Sequence, residues 1–133
     1  MRAIAHGMAS LGTEFVAIYV SPLLRARQTA EPVALACRFK GTLKETKGLV
    51  PEANVDAILH ELANAKVGKG DVLLVGHQPH LGRLFGRLST GRSDIEIPMK
   101  KASLAAFEVD GDPSLDRAEL RYFLSPRILE KLS

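Results

Sequence analysis

Helical and strand-like patterns of apolar and polar residues alternate along the chain. Two short runs, residues 16–20 and 71–75, are almost continuously apolar, as in strands buried on both faces of a parallel sheet. Apolar residues at helical spacing predict helices over residues 1–11, 23–39, 55–66 and 79–88, with a last helical turn from Pro126. Residues 42–49 predict a short strand or extended segment, and residues 102–109 and 118–124 predict two more strands, the second antiparallel to its neighbour.

Capping and turn residues set the boundaries of these elements. Gly12 suits the C-cap of the first helix, and Asn54 suits the N-cap of the third. Pro32 lies inside the second helix and predicts a kink or break just before it. Turns are expected at residues 68–70 and 111–113, and a polar loop at residues 89–93.

Strands that alternate with helices predict an α/β fold. We expect a three-layer sandwich in which helices cover both faces of a mostly parallel sheet. The 133 residues suffice for one hydrophobic core, so a single domain is expected over residues 1–133. Such sheets bind ligands at the carboxyl ends of their strands, where Ser21 and His77 follow the two buried runs.

The composition narrows the choice of ligands and compartments. A net charge of +3 fits an anionic substrate, but no Lys/Arg cluster interleaved with aromatic residues indicates nucleic acid. No apolar run reaches membrane-spanning length and no signal-peptide pattern opens the chain, so we expect no membrane partner and a cytoplasmic location. The single Cys37 excludes an internal disulfide and a cysteine-based metal site, and no metal or organic cofactor is expected.

The residues after the first buried run could hold a phosphoryl group. Ser21 can cap a helix, and Pro22 suits the first helical position. Arg25 would then lie in the first turns, where its guanidinium joins free backbone N–H groups at the positive end of the helix. The same residues also fit an ordinary strand-to-helix turn with a surface arginine.

His77 is a second candidate. Gly76 permits a tight exit from the preceding strand, so the imidazole can turn into a cleft and donate a hydrogen bond or transfer a proton. A histidine bonded to a loop carbonyl is the alternative. The other candidates are weaker: His60 is expected on the surface, His80 at a helix start with a lesser chance of lining the pocket, and Lys100 and Lys101 as a solvated pair.

Two motifs resemble those of a known family. The string Ser-Pro-Leu-Leu-Arg-Ala at residues 21–26 resembles the second motif of the histidine phosphatase (phosphoglycerate mutase-like) superfamily, and Gln-Thr-Ala at residues 28–30 extends the likeness to its SixA-type phosphohistidine phosphatases. The string Leu-Leu-Val-Gly-His-Gln-Pro-His-Leu at residues 73–81 resembles the family segment that carries the second catalytic-site histidine. The resemblance implies that Arg25 and His77 are catalytic and that Ser21, Arg25 and His77 bind phosphate.

The family's nucleophile is a histidine in an Arg-His-Gly motif at the end of an N-terminal strand. We do not assign that role to His6 of Ala5-His6-Gly7, because too few residues precede it for a strand, Ala5 replaces the arginine, and the interval to Ser21 is too short. The resemblance therefore covers the family fold after its first strand, and no nucleophile is assigned. That strand would be central, so its two neighbours should have unpaired edges. A truncated or mis-assigned start, a strand from another chain and a non-catalytic relative all remain open.

The resemblance implies a phosphohydrolase. Its substrate would be phosphohistidine on a protein, cleaved through a phosphohistidine intermediate on the enzyme, with Arg25 and His77 stabilising the developing charge. A non-catalytic module that binds phosphate or a phosphoprotein is the alternative, since the nucleophile motif is absent. A phosphatase or mutase for a small phosphorylated metabolite is a third possibility. Glu45 and Glu52 lie where mutase-type members carry an acidic proton donor, and neither can be aligned with it.

Overall fold

Helices and strands alternate along the chain in the computed structural model, which describes residues 1–67, 69–115 and 118–133. The helices are α1 Arg2–Ser10, α2 Leu24–Ala36, α3 Val55–Ala65, α4 His80–Thr90 and α5 Pro126–Lys131, with one 3₁₀ turn at Lys47–Leu49. The strands are β1 Phe15–Val20, β2 Lys44–Glu45, β3 Asp71–Val75, β4 Leu104–Glu108 and β5 Glu119–Leu124.

The strands form two separate sheets. The first is parallel, with the order β2-β1-β3, and its register pairs Ile18 with Leu73 and Val20 with Val75. The second consists of β4 and β5, which pair antiparallel as expected. Within the described residues β3 pairs only with β1, and β4 only with β5.

Two hydrophobic clusters lie on opposite faces of the parallel sheet. Alternate residues of β3 divide between them, because successive side chains of a strand point to opposite faces. One cluster contains Leu73 and Val75 together with apolar residues of α1, α2 and α5. The other contains Val72 and Leu74 together with residues of α3 and α4. Helices therefore cover both faces, and the predicted three-layer α/β fold is confirmed.

The second helix differs from its prediction at three points. It begins at Leu24 with Leu23 as the N-cap residue, so the expected cap at Ser21 and first position at Pro22 are wrong. It continues through Pro32, so of the kink or break expected just before that residue, a break does not occur. It ends at Ala36 and not near residue 39, because Arg38 takes a left-handed conformation (φ 55°) and the Phe39 amide bonds back to the Ala34 carbonyl.

Other boundaries shift by smaller amounts. Within residues 42–49 only Lys44–Glu45 is a strand, since the Thr46 hydroxyl accepts a hydrogen bond from Gly48 and starts the 3₁₀ turn. Helix α4 continues to Thr90 into the predicted loop and stops at Gly91, whose φ of 79° suits glycine. The Asn54 cap of α3 is confirmed, with its side chain accepting from Asp56. Of the predicted turn at residues 68–70, Gly68 lies outside the described residues.

Within the described ranges, no helix is both long enough and apolar enough to cross a membrane.

Candidate functional site

The parallel sheet brings the Ser21 hydroxyl and the His77 ring together. Ser21 follows β1 and donates its backbone N–H to the carbonyl of Val75, the last residue of β3, at 3.0 Å. This bond holds the ends of β1 and β3 side by side. His77 follows two residues later, and its Nε2 lies 2.9 Å from the Ser21 Oγ. Two residues that are 56 positions apart thus form one hydrogen-bonded pair at the carboxyl edge of the sheet.

Ser21 does not cap α2 as the sequence predicted, and its hydroxyl instead contacts the Leu23 amide and the His77 ring. Its side chain is fully buried, and its Oγ accepts a hydrogen bond from the Leu23 amide at 3.3 Å. Leu23 is still extended (ψ 143°), so the helix starts two residues later than a Ser21 cap would place it. The hydroxyl therefore fixes the loop between β1 and α2 and orients the His77 ring.

Arg25 is the second residue of α2 and its side chain is exposed. The first N–H groups of a helix have no acceptor within it, so they add positive potential beside the guanidinium. Arg27, two residues later, points elsewhere and pairs with Glu45 at 2.7 Å and Glu31 at 3.3 Å. In the part of the chain that the structure describes, no carboxylate forms an ion pair with Arg25. Its charge therefore remains available to an anion.

The electrostatic surroundings keep His77 neutral near pH 7. Partial burial lowers its pKa, and the positive charge of Arg25 lowers it further, whereas Glu52 raises it. These influences place Arg25 and Glu52 close enough to His77 to affect its proton. Of the two acidic residues considered from the sequence, Glu45 pairs with Arg27, whereas the charge of Glu52 raises the pKa of His77.

His80 lies at the start of α4, as the sequence predicted, but its burial was not foreseen. The side chain is fully buried, and neither ring nitrogen has a hydrogen-bond partner within the described residues. Burial lowers its pKa, and the nearby charges of Arg83 and His77 act in the same direction. The spacing contained a signal, because His80 precedes Leu84 by four residues and Leu88 by eight, on the buried stripe of the helix.

Within the described residues, no hydrogen bond or ion pair joins the remaining candidates to Ser21, Arg25 or His77. His6 is in the middle of α1 and lines a groove of about 630 Å³ between α1 and α2. His60 is exposed on α3, and Lys100 and Lys101 are exposed before β4. The structure therefore places Ser21, Arg25 and His77 at one edge of the sheet. Across the described ranges, no three His, Cys, Asp or Glu side chains are grouped so that they could hold a metal ion.

Comparisons with known proteins find a family model, a related sequence and a related structure. Residues 1–50 match the model of the histidine phosphatase superfamily (branch 1). An uncharacterized protein of Picosynechococcus sp. (strain ATCC 27264 / PCC 7002 / PR-6) is 35% identical over 104 residues, which is 77% of this chain. The aligned part spans only 62% of that curated relative.

A solved structure matches nearly the whole chain. The protein histidine phosphatase SixA, complexed with tungstate, superposes with a TM-score of 0.83 at 25% sequence identity. The match covers 96% of this chain and 80% of the SixA chain. The chain thus resembles the histidine phosphatase superfamily in the sequence of residues 1–50 and SixA in its fold.

Proposed function

We propose that this chain is the phosphate-holding part of a phosphohistidine phosphatase, which removes the phosphoryl group from a phosphohistidine on a protein. The observation that carries the proposal is the Ser21–His77 pair at the strand ends, with the Arg25 guanidinium at the start of the following helix. The likeness to SixA, a protein histidine phosphatase whose structure holds the oxyanion tungstate, supports the choice of substrate.

Each of the three residues has a distinct task. Arg25 and the first N–H groups of α2 bind the phosphoryl oxygens, since charge-assisted bonds to a planar guanidinium suit this anion. The Ser21 hydroxyl accepts from the Leu23 amide and can donate its own proton to Nε2 of His77. The other ring nitrogen then carries the proton and can donate to a phosphoryl oxygen as negative charge develops.

The chemical step itself needs a nucleophile. An imidazole attacks phosphorus, the bond to the substrate's histidine breaks, and that imidazole leaves with a proton. Water then cleaves the phosphohistidine on the enzyme and releases phosphate. Among the described residues we assign no such nucleophile, because His6 lies in α1 and His80 is buried. A phosphate-binding module without turnover is therefore the second candidate function.

Two arginines on one helix provide a matched test of the binding site. Vanadate and inorganic phosphate are titrated into the chain and into the variants Arg25→Ala and Arg27→Ala. The loss of a charge-assisted hydrogen bond costs about 1.5–3 kcal/mol, so Arg25→Ala should weaken binding by roughly 10- to 150-fold. Arg27→Ala, which removes only the pairs with Glu31 and Glu45, should change it less than about twofold. Equal affinity in both variants would refute the assignment of Arg25.

Turnover separates the candidate functions. The chain is incubated with an aryl phosphate, a phosphohistidine protein and a sugar phosphate. Cleavage that prefers the phosphohistidine protein supports the proposed phosphatase, whereas preference for the sugar phosphate supports a metabolite phosphatase. Phosphate binding without cleavage of any of the three supports the non-catalytic module.

A further inference from the structure

The groove between α1 and α2 begins at the same edge of the sheet as the candidate site. Both helices pack on the face that holds Leu73 and Val75. Short links join α1 to β1 and β1 to α2, so the chain reverses direction twice and the two helices run the same way. Their first turns therefore lie at the carboxyl edge of the sheet, where Ser21 and His77 meet. Arg2, in the first turn of α1, lines the groove.

The solvent-facing side of α2 has the spacing of a helix–helix contact. Leu24, Gln28, Glu31 and Leu35 follow one another at intervals of four, three and four residues, and all are exposed. They form one stripe along about three turns, which we call the docking stripe. The leucines at its two ends are 69% and 82% exposed. Stripes with this spacing normally pack against a second helix, whereas this one is open to solvent.

The groove beside the docking stripe has an apolar floor. Ala5 of α1 is almost fully buried there, and Pro32, Leu35 and Ala36 of α2 add further apolar surface. The volume is about 630 Å³, and the groove is open to solvent. An open groove between two helices suits a row of side chains from a partner helix better than an enclosed small molecule.

The charges at the groove favour an acidic partner. Among the residues that the structure describes, no carboxylate forms an ion pair with Arg2. Glu31, which also lines the groove, already bonds Arg27 at 3.3 Å. The positive charge of Arg2 is therefore available to a partner, whereas the negative charge of Glu31 is partly neutralised. A helix with carboxylates beside its apolar side chains complements this surface.

We propose that the groove and the docking stripe bind one amphipathic, acidic helix of the protein that carries the phosphohistidine. Its apolar side chains pack on Leu35 and the groove floor, and its carboxylates face Arg2. Arg25 and Leu35 are ten residues apart on α2, which is about 15 Å along the helix axis. A docked helix of that length or more brings a phosphohistidine at its end to Arg25. The identity of this partner rests on the proposed function, whereas the docking surface rests on the groove and the stripe.

A labelled helical peptide tests the docking surface in the 133-residue chain. The probe has about 15 residues, with leucines at the same intervals as the docking stripe and glutamates beside them. One control has the same composition with its leucines spread around the helix, and the other has lysines in place of the glutamates. Fluorescence anisotropy should show about tenfold tighter binding of the probe than of either control. Equal binding of the probe and either control would overturn the proposal.

Two matched pairs of variants locate the probe. Leu35→Gln should weaken its binding about tenfold, whereas Leu115→Gln, which changes a leucine of similar exposure (79%) in the turn before β5, should leave it unchanged. Arg2→Glu should weaken binding about fivefold, and Lys101→Glu, which changes the net charge equally, should not. Binding that is the same in Leu35→Gln and Leu115→Gln would place the peptide elsewhere and overturn the proposal.

A phosphorylated probe distinguishes the failure of the docking surface from the failure of the proposed function. Two further peptides carry the stable phosphohistidine analogue phosphoryltriazolylalanine at the first or the last residue. One of them should bind about tenfold tighter than the unmodified probe, and Arg25→Ala should remove that gain. No gain in either peptide would refute the phosphohistidine protein as the partner, even if the unmodified probe binds. A gain that coexists with no effect of Leu35→Gln would refute the docking surface alone.

Sedimentation tests whether a second copy of the chain occupies the surface. The chain should remain monomeric at the concentrations used for the titrations. Dimers that Leu35→Gln dissociates would overturn the proposal, because the docking stripe of one copy would then cover that of the other.

Discussion

Replacing His80 by leucine tests how a buried imidazole affects stability. The ring is fully buried at the start of α4 and has no hydrogen-bond partner in the described part of the chain. A buried polar group without a partner costs about 1–3 kcal/mol, and leucine continues the apolar stripe of Leu84 and Leu88. We expect His80→Leu to raise the free energy of unfolding by about 1–2 kcal/mol at pH 7.5.

The effect should grow in acid. The pKa of His80 is lowered in the folded protein from the ordinary value of 6.5, first by burial and then by the charges of Arg83 and His77. The unfolded chain therefore binds more protons as the pH falls through 6.5, and stability is lost on the acid side. At pH 5.5 this loss reaches up to about 1.4 kcal/mol for one such group. His77, whose pKa is also lowered, adds a loss of the same sign that the variant retains.

Urea unfolding at pH 7.5 and pH 5.5 measures both effects. The wild type should lose more stability between the two pH values than His80→Leu does. The control is His60→Leu, because His60 is exposed on α3 and its replacement should change stability by less than about 0.5 kcal/mol. The reasoning would be refuted if His80→Leu were less stable than the wild type at both pH values, since the ring would then have a stabilising partner.

Three further substitutions test contacts that hold the fold and the site. Gly7→Ala would drive a methyl group into the backbone carbonyl of Leu129, so we expect a loss of about 1–3 kcal/mol in thermal or urea unfolding; an unchanged midpoint would show that α1 and α5 pack less closely. Arg87→Met removes the buried guanidinium that bonds Asp56 at 3.1 Å, so the free energy of unfolding should fall by about 1–3 kcal/mol. The same substitution should have a smaller effect in an Asp56→Asn background, and additive losses would contradict the pairing of Arg87 with Asp56. Ser21→Ala should cost about 1 kcal/mol and weaken phosphate binding severalfold while the chain stays folded, as judged by circular dichroism and vanadate titration; full affinity would show that the hydroxyl does not orient the site.

The sequence predicted the parallel strands and most helices because their signals are local. The apolar run at residues 71–75 and the Asn54 cap appear in the structure at the predicted positions. The location of Ser21 and His77 at strand ends also followed from local pattern, because the carboxyl edge of a parallel sheet collects the residues that follow each strand.

The structure differs from the sequence predictions where contacts between distant parts of the chain determine the local conformation. Serine is a residue type that often caps helices, but the Ser21 hydroxyl forms a hydrogen bond with His77, 56 residues later. A contact between residues so far apart leaves no signal in the local sequence pattern. The end of α2 depends on Arg38 adopting a left-handed conformation, which sequence patterns normally assign to glycine or asparagine. The burial of His80 was visible in its spacing, but its polar character favoured a surface position.

The contact between α1 and α5 affects how the chain folds during synthesis. Gly7 of α1 lies directly against the Leu129 carbonyl of α5, about 120 residues later in the chain. At ribosomal rates of about 5–20 residues per second, α1 emerges about 6–24 s before its partner helix is made. During that interval the apolar face formed by Ile4 and Met8 lacks part of its native cover. During synthesis α1 is therefore exposed to aggregation and to chaperone binding until α5 docks against it.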